Sequence, residues 1–261
     1  MYPVLFGFVK SYGFMLAVSF MVGMWVAVRR GKKYNLSSET IVDVIFGILV
    51  SSIVGVRLFY VLTHVNEFHP WYRSFFIWDG GLTLYGGIAT ATLTVWWMCR
   101  RRKIPFLVMA DIIAPTVMLG LGFTRIGCFL AGCCHGKPTD CSCGVVFPTG
   151  SPADKIYGAV AVHPAQLYAS LGGFLIFGLL LLMEKWSSFR GATFGRFLAL
   201  YGMLRFMIDF SRYYQPEQVM MFGWSNNQWI SIGLMAAGSF VLVMGAAGKL
   251  GGHWKSEETH G

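Results

Sequence analysis

Residues 119–143 read LGLGFTRIGCFLAGCCHGKPTDCSC, an apolar run that ends in a cluster of cysteine and histidine. Arg125 lies within the apolar part, where a charge at the centre of a bilayer costs about 2.5–3.5 kcal/mol on insertion scales. A chain is expected to keep such a charge only where an anionic or polar group meets it. The stretch therefore predicts a membrane-spanning helix with a functional site near its end.

The rest of the chain has the composition of a polytopic membrane protein. Of its 261 residues, 55% are hydrophobic and 13% are charged, whereas about 25% are charged in a typical soluble domain. Since each span needs about 20 apolar residues, we predict an all-α fold with about seven transmembrane helices in a single domain, residues 1–261. The first is interpreted as a retained span and not as a signal peptide. The predicted spans are 12–28, 41–63, 82–99, 105–131, 166–183, 194–211 and 228–247.

The net charge of +9 indicates membrane topology and not nucleic-acid binding. Basic residues concentrate in the connections after the first, third, fifth and seventh spans. By the positive-inside rule these segments are cytoplasmic, so we predict an external N-terminus and a cytoplasmic C-terminus. The cysteine-rich loop 132–165 then lies outside, as does the aromatic loop 64–81, which is expected at the membrane interface.

Four arginines lie in or at the ends of apolar segments, all towards the outer half of the predicted membrane. A guanidinium presents a planar fork of donors that suits phosphate oxygens, which favours a phospholipid headgroup site. The alternative is that each arginine extends to the interface or caps helix carbonyls. Asp209 follows one of them by four residues, so the two can pair on one helix face. The four are Arg57, Arg125, Arg205 and Arg212.

The cysteine cluster allows three interpretations. Disulfides are favoured in an oxidising compartment. A zinc site is possible, although the paired C-x2-C spacing is missing. A catalytic thiolate is the third, because a nearby arginine can lower the pKa of a thiol. We expect no diffusible cofactor and assign no metal ligand. In chain order the cluster comprises Cys128, Cys133, Cys134, His135, Cys141 and Cys143.

Two further polar groups adjoin predicted spans. His163 opens H-P-A-Q-L-Y and, with Gln166 and Tyr168, forms a polar set at the outer boundary; it is a candidate base or headgroup contact, or a loop-packing residue. Tyr85, in W-D-G-G-L-T-L-Y-G-G, is flanked by glycine pairs that permit close approach of a backbone or ligand. The alternative is an interfacial tyrosine with flexible flanks.

These motifs together resemble the prolipoprotein diacylglyceryl transferase family of bacterial inner membranes, over roughly residues 10–245. The resemblance implies seven spans, an active site towards the outer, periplasmic leaflet, and transfer of a diacylglyceryl group from phosphatidylglycerol to the lipobox cysteine of a prolipoprotein. Glycerol phosphate is released. The implied partners are phosphatidylglycerol, the lipobox region and the bilayer, with no nucleic acid. The motifs are S-Y-G (11–13), V-R-L-F-Y (56–60), W-D-G-G-L-T-L-Y-G-G-I (78–88), D-I-I-A-P (111–115), G-x-x-R-I-G (122–127), H-P-A-Q-L-Y (163–168) and Y-G-x-x-R-F-x-x-D-F-x-R (201–212).

The resemblance also implies roles for individual residues. Arg125 and Arg205 match arginines that hold the lipid phosphate, Gly136 matches the glycine that closes the signature, and Asp209 stands where the family usually has glutamate. The expected catalytic residues are Tyr85, Arg125, Arg205, His135 and His163. The expected substrate-binding residues are Tyr12, Arg57, Cys128, Cys133, Gly136, Gln166, Tyr168, Asp209 and Arg212.

At three positions the chain departs from the family pattern. Tyr85, Cys128 and Cys133 replace the usual histidine, asparagine and glutamate. A tyrosine, with an unperturbed pKa of about 10, is a poorer base, and His135 or His163 could replace the missing histidine. Two alternatives therefore remain: a related enzyme with another acceptor, such as a hydroxyl or a small thiol, or a non-enzymatic lipid-binding or redox protein.

Overall fold

The computed structural model describes residues 4–5, 9–64, 84–213 and 223–252, which are almost entirely helical. Two very short strands, β1 (Val4–Leu5) and β2 (Val9–Lys10), pair antiparallel before the first helix. A 3-10 turn, Glu184–Trp186, follows α6. The helices are α1 (Ser11–Lys33), α2 (Ser38–Thr63), α3 (Leu84–Arg101), α4 (Phe106–Ala131), α5 (Pro152–Tyr157), α6 (Ala165–Met183), α7 (Ala192–Ser211) and α8 (Asn226–Ala246).

Five of these helices, namely α1, α2, α4, α6 with its following turn, and α8, are long and apolar enough to cross a membrane. The predicted helical membrane architecture is confirmed at this level. Each of the seven predicted segments overlaps one long helix, with ends within a few residues of the prediction for most of them. The helices α3 and α7 are less apolar, and α7 contains Arg196, Arg205 and Asp209. Seven crossings and the orientation of the termini stay predictions.

The loop predicted at 132–165 contains one short helix, α5. Ser151 caps it by accepting a hydrogen bond from the Asp154 amide at 3.2 Å, and Pro152 occupies the first turn, where its missing N–H costs nothing. Apart from its first residue, the predicted interfacial loop 64–81 lies outside the described residues.

The described part of the chain divides into two compact units, one within residues 28–109 and the other formed by residues up to 27 and from 110 to 252. In the first, α2 and α3 pack through small residues. A Cβ added to Gly87 would lie 3.1 Å from Val56 Cγ1, and Thr90 Oγ1 donates to the Ser51 carbonyl at 2.8 Å. Such close backbone approach is typical of helix pairs in membranes.

In the second unit, α4 packs against the first part of α1 and against α6. Ser19 Oγ donates to the Gly120 carbonyl at 3.1 Å, and Ser170 Oγ donates to the Gly122 carbonyl at 2.8 Å. A Cβ added to Gly127 would lie 2.9 Å from the Cβ of Met15. Gly120, Gly122 and Gly127 thus allow neighbouring helices to approach α4 closely.

A buried carboxylate of α4 accepts hydrogen bonds from amides at the start of α7. Gly191 precedes this helix with φ of 89° and supplies no side-chain cap. Asp111 accepts hydrogen bonds from the amides of Gly191 and Phe194, both at 2.7 Å. It thus satisfies amide groups that the first turn of a helix leaves without intrahelical partners.

Candidate active site

Arg125 of α4 and Arg205 of α7 line one narrow cavity of about 10 Å³. Two guanidinium groups in a mostly apolar lining favour an anionic ligand. A cavity of this volume holds about one water molecule, so a lipid phosphate between the two guanidinium groups requires the lining side chains to move apart. The lining residues are Leu121, Arg125, Ala169, Tyr201, Leu204, Arg205 and Ile208.

Arg205 is held by a buried acidic partner. Its Nη1 lies 3.2 Å from Asp209 Oδ1, and the Asp209 side chain is fully buried. The other carboxylate oxygen accepts a hydrogen bond from Ser225 Oγ at 2.6 Å. Ser225 is the N-cap of α8 and forms a reciprocal capping box with Gln228. The predicted pairing of Arg205 with Asp209 is therefore confirmed, and it is anchored to the start of α8.

The end of α4 brings two of the cysteines together. Gly132, with φ of 72°, follows the helix; its amide donates to Phe129 O, and the Cys133 amide donates to Cys128 O, both at 3.1 Å. This pair of bonds is the Schellman motif, in which the residue after the glycine usually makes an apolar contact with the last helical turn. Here that contact joins Cys133 to Cys128.

Cys134 completes a triad of thiols. Its φ of 60° is in the left-handed region, and the sulfurs of Cys128, Cys133 and Cys134 lie within 4.8 Å of one another. Hydrogen bonds from the other two thiols lower the pKa of Cys134, and the charges of Arg125 and Arg212 lower it further. The thiols of the triad are free, whereas the following pair of cysteines in the loop, residues 141 and 143, forms a disulfide.

His135 is buried among aromatic rings. Its ring stacks on Tyr213 with centroids 6.3 Å apart and meets Tyr157 edge-on at 5.7 Å. Burial and the neighbouring Tyr213 raise the pKa of Tyr157. The His135 Nδ1 lies 3.1 Å from the Gly136 carbonyl, which can only accept, so this nitrogen carries the proton in the neutral ring and Nε2 keeps the lone pair.

Gly136 joins three segments of the chain. Its amide donates to the His163 carbonyl at 2.9 Å, and the next amide, of Lys137, donates to the Ser211 carbonyl at 2.9 Å. A Cβ at this position would lie 2.5 Å from Ser211 O and 2.6 Å from His163 Cβ, so no other residue fits without movement of the backbone. These backbone hydrogen bonds connect the loop to the segment before α6 and to the end of α7. There Arg212 forms an isolated antiparallel β-bridge with Gly136.

The predicted polar set around α6 contacts the cysteine loop. His163 Nδ1 lies 3.3 Å from Tyr168 Oη, which donates to Cys143 Sγ at 3.3 Å. Gln166 is fully buried, and its Nε2 donates to the Cys133 carbonyl at 2.7 Å. These three side chains therefore support the loop that carries the thiol triad.

Over most of its length the chain is similar to one family of known proteins. Residues 3–244 match the family model described as prolipoprotein diacylglyceryl transferase. The chain belongs to this family. It is similar to the proteins named phosphatidylglycerol–prolipoprotein diacylglyceryl transferase from Geobacter sulfurreducens (32% identity, 93% of each chain) and Clostridium tetani (31% identity, 93% of this chain and 97% of the relative). A third relative of that name, from Photobacterium profundum, is 35% identical over 91% of this chain and 86% of its own.

Three further residues expected in the transferase site lie on α1, α2 and α3. Tyr85 and Arg57 belong to the α2–α3 unit, where Tyr85 is 51% exposed and Arg57 is buried with its guanidinium carbon 6.0 Å from the ring centre of Tyr60. Tyr12 lies in the first turn of α1, in the same unit as the arginine cavity, and its Cα would lie 3.3 Å from a Cβ added to Gly127.

The roles of some residues that shape the candidate site were not predicted from the sequence. Asp111 was noted only within a motif, although a carboxylate in an apolar span needs donors. Ser225 and Gln228 form S-x-x-Q, a recognisable capping-box pattern. The glycine between Ala131 and Cys133 was a signal for the turn that joins the thiols.

Proposed function

We propose that this protein transfers the diacylglyceryl group of phosphatidylglycerol to the lipobox cysteine of a prolipoprotein. The relatives that share about a third of its residues are named for this reaction. The observation that carries the proposal is the shared cavity of Arg125 and Arg205, in which a buried Asp209 orients one of the two guanidinium groups.

The reaction is a substitution at carbon. The acceptor sulfur forms a bond to the terminal glyceryl carbon of the lipid, and the bond from that carbon to the phosphate oxygen breaks. Glycerol phosphate leaves with the electron pair. Arg125 and Arg205 hold the phosphate in place and stabilise the charge that grows on the leaving oxygen, a role that is strongest for preorganised donors.

A base must take the proton of the acceptor thiol, and the candidates are Tyr85, His135 and His163. The Nδ1 atom of each histidine makes a hydrogen bond within the protein: that of His135 with Gly136 O, and that of His163 with Tyr168 Oη. Because Tyr168 donates its own proton to Cys143, its oxygen can accept from His163. Each neutral histidine then keeps its lone pair on Nε2, as a base requires.

We further propose seven crossings of a bacterial inner membrane, an external N-terminus and an active site towards the outer leaflet. The distribution of basic residues supports this orientation. Reporter fusions at the two ends test it: a C-terminal reporter active only in the cytoplasm is expected, and one active only outside would overturn the orientation.

A mass-shift assay tests the activity. Purified protein in phosphatidylglycerol membranes is incubated with a lipobox peptide, and a diacylglyceryl-sized gain on the cysteine is expected. A peptide with serine at that position should gain nothing. Arg125→Ala should abolish the gain, whereas Arg102→Ala should retain it, since Arg102 binds Thr40 and Asp43 in the other unit.

No gain with wild-type protein that still binds phosphatidylglycerol would contradict the proposed acceptor. The search would then move to other thiols and to hydroxyl acceptors. Equal activity of the Arg125→Ala variant would contradict the proposed phosphate site.

A further inference from the structure

The steps of the transfer described above assign no chemical role to the thiol triad of Cys128, Cys133 and Cys134. Its three sulfurs lie within 4.8 Å of one another. In a tetrahedral zinc site with Zn–S bonds of about 2.3 Å, two ligand sulfurs are about 3.8 Å apart. If side-chain rotation moved each sulfur by less than about 1 Å, all three could bind one ion.

The backbone already brings the three thiols together. The Schellman turn places Cys133 over Cys128, and the left-handed φ of 60° at Cys134 folds the chain back towards them. A left-handed conformation costs a non-glycine residue about 1–2 kcal/mol. Such strain persists where the surrounding structure requires it and often marks a functional site.

Charge and hydrogen bonding around the triad suit a metal–thiolate group. Three thiolates and a divalent ion carry a net charge of −1, and the guanidinium charges of Arg125 and Arg212 both act on Cys134. Gln166 fixes the turn through its bond to Cys133 O. Its Oε1 is buried and has no hydrogen-bond partner among the described residues, so it is an acceptor available to a water or metal-bound ligand.

We propose that Cys128, Cys133 and Cys134 bind one thiolate-preferring d10 cation, zinc(II) or copper(I). An all-sulfur ligand set selects these ions over magnesium, calcium or manganese, and binding releases the three thiol protons. The structure does not place His135 in the cluster; its ring is held between Tyr157 and Tyr213. Three protein ligands leave a fourth position on a tetrahedral ion.

The location of the ion indicates that it activates the acceptor thiol, an inference that rests on the proposed transferase function. Arg125 acts electrostatically on the triad and also lines the phosphate cavity. A thiol that entered the fourth position would be bound as the thiolate, and its proton would pass to the base proposed above, His135 or His163. The ion would then activate the acceptor sulfur in a chain that has tyrosine at position 85, where the family resemblance implies a histidine.

Metal content tests the site without any activity measurement. Protein purified under reducing, anaerobic conditions without chelator should contain about one zinc or copper ion per chain by elemental mass spectrometry. Cobalt(II) added to metal-free protein should give strong thiolate-to-cobalt absorption. Cys134→Ser should weaken binding at least about 100-fold, since even outer-shell changes cost 10–100-fold.

Two further variants separate loss of metal binding from loss of the fold, and a third variant is a matched control. Cys128→Asn and Cys133→Glu introduce the residues that the family usually has, so the fold is expected to persist while metal binding falls. Cys99→Ser replaces a buried cysteine of the other unit and should leave binding unchanged. The thermal unfolding of each variant is measured beside its metal content.

Three results would overturn the proposal. One is folded, reduced wild-type protein that binds neither ion; another is binding that survives all three triad variants. A disulfide between two of the triad cysteines, in metal-free protein isolated without reductant, would also overturn it.

The acceptor step is tested separately. A lipobox peptide should change the cobalt spectrum, and its serine analogue should not. Metal binding in a protein that fails the mass-shift assay would contradict the proposed function but not the site. Transfer activity that is unchanged after complete metal removal would contradict the activating role alone.

Discussion

The two ends of α7 both meet a buried carboxylate, but the two carboxylates have different neighbours. At the start of the helix, Asp111 accepts from the amides of Gly191 and Phe194. Near its end, Asp209 accepts from Arg205 and Ser225, and Arg205 lines the cavity that is proposed to hold the lipid phosphate.

This difference separates a structural carboxylate from a positioning one. Asp111 accepts hydrogen bonds from backbone amides in the first turn of α7, so its charge completes the start of that helix. Asp209 orients a cationic side chain that lines the cavity shared with Arg125. Burial alone would have ranked the two aspartates equally, since each is 4% exposed.

The largest effect is expected from Asp111→Ala. It leaves two amides at the start of α7 without their acceptor, at about 1–3 kcal/mol each when buried, and we expect the free energy of unfolding to fall by about 3–4 kcal/mol. Titration with a denaturing detergent measures it. Asp111→Asn, which keeps one acceptor oxygen, should lose less. A variant with wild-type stability and lost transfer activity would remove the contrast between the two ends.

Arg205→Lys is expected to reduce kcat/KM about 100-fold, because an ammonium cannot replace the planar fork at a phosphate. This loss corresponds to about 2.7 kcal/mol. The change is read in the mass-shift assay at a temperature well below unfolding.

Its matched control is Arg196→Lys on the same helix. Arg196 donates to the carbonyl of Met183 and to Ser187 Oγ, both at 2.7 Å, away from the cavity. This variant should change activity less than threefold. Equal losses in the two variants would mean that the Arg205 effect is not specific to the cavity.

Asp209→Asn should produce a smaller, mixed effect. The amide oxygen can still accept from Ser225, but the charge beside Arg205 is lost, so the guanidinium is less well oriented. We expect kcat to fall about tenfold, or about 1.4 kcal/mol, with a modest rise in KM. Rescue by Asp209→Glu, the residue usual in the family, would support positioning; a purely structural role predicts that Asn and Glu lower stability alike and leave kcat unchanged.

The sequence was informative where a relation is local. Apolar runs located the helices, and a spacing of four residues predicted the pair of Arg205 and Asp209. The turn after α4 is also local, and the glycine at position 132 could have indicated it. Local patterns carry this information because helix geometry fixes which residues share a face.

Relations between distant segments were not predictable in the same way. The bond from Gln166 to Cys133 and the cap that Asp111 provides to α7 depend on how α4, α6 and α7 pack. Packing angles vary with the side chains at each contact, so spacing in one sequence cannot fix them. Nor does spacing show that two thiols pair while three others form a triad.

Asp43→Ala should have the smallest effect and sets the scale for the other carboxylates. Asp43 pairs with Arg102 in the α2–α3 unit, where its side chain is 52% exposed. An exposed ion pair contributes about 0–1 kcal/mol, so the free energy of unfolding should fall by less than about 1 kcal/mol, and added salt should reduce the difference further. A loss as large as that of Asp111→Ala would show that an aspartate can be essential to the fold without burial, and the distinction drawn at the two ends of α7 would then need another basis.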